Sequence, residues 1–102
     1  MKVYDFRNTS PQFQFTCYRT ILAMFDKIGK RTKIYSKMES LKFMFEPRYS
    51  GPILLSEEDV KLMKRWMLSA LGHVFEGKEI QAMFEKEMAA MLSLEVLKEL
   101  GD

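Results

Sequence analysis

The chain contains one cysteine and one histidine, Cys17 and His73. A lone cysteine closes no intrachain disulfide, and short secreted chains usually carry an even set, so the expected compartment is a reducing cytoplasm. One thiol and one imidazole also fall short of the four ligands of an intrachain structural zinc site, and no cofactor is called for. A nucleophilic pair would require Cys17 and His73 to meet across two helices. Each sits on an apolar stripe, which reads instead as a buried structural thiol and a core or boundary histidine. The five glycines form neither G-x-G-x-x-G nor G-K-[ST], so no loop is built to cradle phosphates. Long apolar runs are missing too: near the start the longest is Ile21–Phe25, too short to cross a bilayer, and Asp5 and Arg7 interrupt the place of a secretory signal. The expectation is a soluble cytoplasmic protein without catalytic equipment, not an enzyme.

What is present suits one small domain. With 102 residues, 47% of them apolar and 29% charged, the composition is that of a globular chain that buries a single core without staples. The predicted fold class is mostly all-α, a compact bundle of four or five helices over residues 1–102. A short N-terminal strand or arm precedes it, because Tyr4 and Phe6 alternate with Asp5 and Arg7. That segment either pairs with Ile53–Leu55 or packs on helices as an arm.

Ser10 followed by Pro11 reads as a helix cap with proline at the first helical position. The helix would run to about Ile28 before Gly29, with Cys17, Ile21, Phe25 and Ile28 at helical spacing. The alternation of Phe13 and Phe15 with Gln12 and Gln14 leaves an extended first turn open. A second helix is predicted from Thr32 to Phe45, with Ile34, Met38, Leu41 and Phe45 on one stripe, and Pro47 ends it. The stretch from Pro47 to Pro52 reads as an exposed turn or hinge. Ser56 before Glu57, Glu58 and Asp59 is a strong helix start, since acids in the first turn meet the positive end of the helix dipole. This third helix is expected to reach Glu76, with Gly77 ending it, and carries Val60, Met63, Met67, Leu71 and Val74 on one stripe and Leu62, Trp66 and His73 on a second face. A last helix from about Lys78 carries Ile80, Phe84, Met88 and Met91, continuing or breaking near Ser93.

Charge is unevenly divided. Residues 1–56 hold ten Lys or Arg against four Asp or Glu, and residues 57–102 hold six against ten. The leading binding candidate is the run Lys27, Lys30, Arg31, Lys33 and Lys37, which contains no acid and has Tyr35, Arg48 and Tyr49 for company. It reads as a contact for an acidic protein surface, as a phosphate contact for nucleic acid, or as a solvated lysine face. A DNA-reading helix-turn-helix fits poorly, because bulky Phe25 stands four residues before Gly29, where close helix crossing wants a small side chain.

The nine methionines suit either core filling or an adaptable apolar surface, and Leu62, Trp66 and Met83 form the candidate apolar partner face. These features together suggest a helical inhibitor or adaptor that binds and blocks a protein partner, for example an inhibitor of the phage or mobile-element type. Direct nucleic-acid binding through the basic turn is the alternative. Head-to-tail self-association of basic and acidic parts is a third possibility.

Overall fold

The computed structural model describes the backbone of residues 3–101 and the side chains of residues 3–89. Strand β1 (Val3–Asp5) leads through a 3-10 turn at Phe6–Asn8 into helix α1 (Pro11–Phe25), and α2 (Lys33–Phe45) follows. Strand β2 (Leu54–Ser56) then returns to β1 and runs directly into α3 (Glu57–Leu71), with α4 (Gly77–Gly101) completing the order. The architecture is mostly helical, four α-helices and one small sheet.

The N-terminal segment takes the pairing alternative. β1 and β2 are antiparallel with Tyr4 opposite Leu55, both buried, while Val3 and Leu54 face outward. Asp5 holds the junction: its Oδ1 accepts from the Ile53 backbone N–H at 3.1 Å, and the Phe6 N–H donates to the Ile53 carbonyl at 2.8 Å. A two-strand ladder alone is marginal in water, and here it is sustained by the helices beneath it.

Ser10 caps α1 as its sequence implies, with Oγ accepting from the Phe13 N–H at 3.2 Å. The first turn is helical rather than extended, so Phe13 is buried and Phe15 stands outside. α1 ends at Phe25, three residues before the expected Ile28. The Met24 carbonyl accepts from both Lys27 and Ile28, which tightens the chain out of the helix into the turn 26–32.

The third helix is shorter than predicted. It begins with a capping box, Ser56 Oγ accepting from the Asp59 N–H while Asp59 Oδ2 accepts from the Ser56 N–H. It stops at Leu71, whose carbonyl accepts from both Val74 and Phe75. Gly72 makes that exit possible, since a Cβ there would collide with the Leu68 carbonyl oxygen. Val74 and His73 are therefore exposed, and the reading of His73 as a core or boundary residue is corrected. Gly77 opens α4 instead of closing α3, helped by Glu79, whose Oε1 accepts from the Glu76 N–H at 3.1 Å. α4 continues through Ser93 without a break. Met91, assigned to its apolar stripe, lies outside the residues whose side chains are described.

An aromatic chain organises the core. Phe6, fully enclosed, stacks edge-on against Phe45 at 6.0 Å and tilts over Phe13 at 5.8 Å; Phe13 meets Phe84 of α4 edge-on at 5.0 Å. These rings join the 3-10 turn after β1 to α1, α2 and α4, and α3 adds Val60, Met63, Trp66 and Met67. Met24, Met38, Met63 and Met67 are buried, so these thioethers fill the core. Ile34, placed on the inward stripe of α2, is exposed. It lies in the first turn of α2, beside the turn 26–32, while the inward positions are Met38, Leu41 and Phe45.

A carboxylate from α4 completes the cap of α1. Glu87 accepts from the Ser10 N–H at 3.1 Å and from Ser10 Oγ at 2.8 Å, across 77 residues of sequence. The loop from Pro47 to Pro52 is braced rather than loose: Tyr49 Oη donates to the Pro52 carbonyl at 2.9 Å and its ring covers Gly51. A Cβ on Gly51 would stand 2.6 Å from the Tyr49 hydroxyl oxygen.

Candidate partner-binding site

The basic run divides into two groups with different roles. Lys27 Nζ donates to the Ser69 carbonyl at 3.2 Å, in the last turn of α3 where free carbonyls and the negative end of the dipole gather. Lys37 Nζ lies 3.0 Å from Asp59 Oδ1, pairing with the acid of the α3 capping box. These two cations tie the turn and α2 to α3. Lys30, Arg31 and Lys33 are exposed and make no ion pair or side-chain hydrogen bond among the described residues. They surround the start of α2, where Thr32 gives no side-chain cap and no acid stands in the first turn. Three positive charges beside a helix start that lacks acids make this turn a region that attracts an anionic group.

The aromatic companions are placed differently from one another. Tyr35 packs edge-on against Phe25 at 5.2 Å, the two rings bracketing the turn from either side. Tyr49 packs on Phe43 at 5.2 Å, at the other end of α2. Arg48 is exposed and unpaired among the described residues, next to Tyr49 and away from the turn in sequence.

No protein-family model matches this chain, and neither a curated protein nor a solved structure is significantly similar to it.

α1 and α2 leave an open groove of about 400 Å³ between them, lined by Leu22, Phe25, Tyr35, Phe43 and the polar side chains of Glu39, Lys42 and Glu46. Phe43 is 61% exposed and Leu22 39%. Lys42 lies over the Phe25 ring at 5.8 Å and pairs with Glu46 at 3.6 Å, so its charge is already engaged. Sequence periodicity passed over this surface because Phe43 and Leu22 lie off the apolar stripes. Their signal was that large apolar residues occupied outward positions.

The apolar face expected from Leu62, Trp66 and Met83 is not assembled. Trp66 is 4% exposed and belongs to the core. Leu62, half-buried, borders a groove with Lys37, Asp59 and Arg65, whereas Met83 borders another with Ser10, Gln12 and Thr16. Cys17 is enclosed, and burial, with the Glu87 charge adding to it, pushes its thiol far above the ordinary range. A neutral, inaccessible thiol is a poor nucleophile. His73 is exposed in the turn after α3 while Cys17 is enclosed, so the structure does not bury the two as a dyad. Among the described residues no group of three His, Cys, Asp or Glu is arranged to hold a metal ion, and no helix is long and apolar enough to cross a membrane.

Proposed function

We propose that this chain is a non-enzymatic interaction module, a small helical inhibitor or adaptor that binds an acidic surface on another protein and blocks it sterically. The observation that carries this reading is the trio Lys30, Arg31 and Lys33, exposed and unpaired at the α1–α2 turn beside an open apolar groove. Cations held for structure, such as Lys27 and Lys37, have partners; these three have none among the described residues. Unpaired cations steer association with an anionic partner, and adjacent apolar surface supplies contact area once the two meet. The charge division between residues 1–56 and 57–102 supports a dipolar protein that approaches its target with the basic part first. In its most concrete form the module acts in the cytoplasm on a nucleic-acid machine of a host cell, as an inhibitor of the phage or mobile-element type.

A tagged pull-down from a bacterial lysate, with and without nuclease, tests this against direct nucleic-acid binding. A specific protein retained after nuclease, and lost with Lys30→Glu, Arg31→Glu and Lys33→Glu combined, is the expected result. A captured set that disappears with nuclease transfers the turn to phosphate binding, with the steep salt dependence that counterion release imposes.

A further inference from the structure

The groove between α1 and α2 is more specific than a basic patch. Its apolar side chains come from both helices: Leu22 and Phe25 from α1, Tyr35 and Phe43 from α2. Its charged groups are unevenly placed along its length. Outside its lining, in the turn that joins Phe25 to Tyr35 and in the first turn of α2, stand Lys30, Arg31 and Lys33, which have no partner among the described residues. Farther along α2, Lys42 is neutralised by Glu46, and Glu39 projects a carboxylate that has no ion pair among the described residues. The groove thus adjoins three unpaired cations at its turn end, carries the Glu39 carboxylate between Tyr35 and Phe43, and has the Lys42–Glu46 pair beyond.

That arrangement selects among occupants. A nucleic-acid strand following the groove would meet cations first and then run its phosphates past the unpaired carboxylate of Glu39 in mid-groove, where like charges repel. A protein segment escapes this conflict, because its acids can be confined to one end. Tyr35 and Phe43 are eight positions apart on α2, a rise of about 12 Å, which matches two turns of a helix or roughly four extended residues. We propose that the α1–α2 groove receives a short amphipathic segment of a partner protein, with a cluster of Asp or Glu against Lys30, Arg31 and Lys33. Its apolar side chains lie over Leu22, Phe25, Tyr35 and Phe43. This rests on the interaction reading above and adds to it the chemistry and polarity of the bound segment. Over Glu39 the segment carries a neutral or basic residue.

The experiment selects binders from a displayed library of random 12-residue peptides on the full chain. The enriched peptides are then labelled and titrated by fluorescence anisotropy. Three variants are compared with the wild type: Phe43→Ser, Leu22→Ser, and the combined Lys30→Glu, Arg31→Glu, Lys33→Glu. All change exposed or half-exposed side chains, and thermal unfolding by circular dichroism checks that each retains its fold. The expected peptides carry acids at one end and apolar residues beyond them, and each variant weakens them at least about tenfold. Peptides weakened by the charge reversals but indifferent to Phe43 and Leu22 overturn the groove and leave the basic-turn reading standing. Peptides indifferent to all three variants, or no enrichment at all, overturn both. Displacement of the peptides by a 20-nucleotide single strand that binds more tightly assigns the site to nucleic acid. A wild-type dimer in sedimentation that Phe43→Ser dissolves makes a second copy the occupant. Either result overturns the proposal.

Discussion

Lys37 and Asp59 form a 3.0 Å ion pair between α2 and α3, and Asp59 simultaneously closes the capping box that starts α3. One carboxylate thus satisfies a helix end and fastens a neighbouring helix to it. A cation that reads as part of a binding run is used for the fold.

Asp59→Ala removes both interactions and is expected to cost about 1–2 kcal/mol, the usual range for a lost cap, or several degrees in the thermal midpoint of a chain this size. Lys37→Ala loses only the half-exposed pair and should cost less than about 1 kcal/mol. Thermal unfolding of both variants checks the order; equal losses would show that the ion pair, not the cap, dominates.

Acid should loosen the N-terminal junction through Asp5. Burial opposes ionisation of its carboxyl, but hydrogen bonds from the Arg7 guanidinium and from the Arg7 and Ile53 N–H groups outweigh it and hold the group below its ordinary 3.8. A folded-state value below the unfolded one means stability that is present above the unfolded value and lost as pH falls through the folded one. Urea midpoints measured from pH 5 downward should therefore fall below about pH 4 more steeply for the wild type than for Asp5→Asn.

Cys17 should resist thiol reagents at pH 8 in the folded protein and react at once in denaturant, because burial both hides the sulfur and disfavours its thiolate. Rapid labelling of the native chain would mean that α1 opens far more readily than its packing implies.

Glu87→Ala should destabilise α1 from a distance. The change strips the α1 start of two hydrogen bonds to a carboxylate, from the Ser10 N–H and Oγ, and a loss of about 1–3 kcal/mol is expected. Phe84→Ala, which removes a fully enclosed ring from the contact with Phe13, should cost about 3–5 kcal/mol. Phe43→Ser at the groove should stay within about 0.5 kcal/mol of wild type, since surface substitutions away from caps and core rarely do more. Denaturant titrations of the three variants test this ranking, and a large loss for Phe43→Ser would place it in the core's energetics after all.

Local signals carried the helix starts. Ser10 with Pro11, and Ser56 with three following acids, mark α1 and α3 to the residue, because capping depends on side chains within three positions of the helix end. The inward positions Cys17, Ile21, Met38, Leu41, Val60, Met63, Ile80 and Phe84 also followed from periodicity, which encodes a helix face without knowing its neighbour. Helix ends were less legible. α3 stops at Leu71 because its carbonyl takes two later N–H groups and Gly72 allows the close approach, a choice among glycines that Gly77 offered equally in sequence.

The sequence by itself determined a mostly helical chain with a basic first part, an acidic second part, a single cysteine and a single histidine. Only the tertiary structure decided which cations are spent on the fold and which are free, since Lys27 finds Ser69 and Lys37 finds Asp59 across intervals of 42 and 22 residues. It also moved Trp66 into the core and left Phe43 and Leu22 lining an open groove. The reason is geometric: periodicity tells which residues share a side of one helix, but whether that side is covered depends on the elements that pack against it.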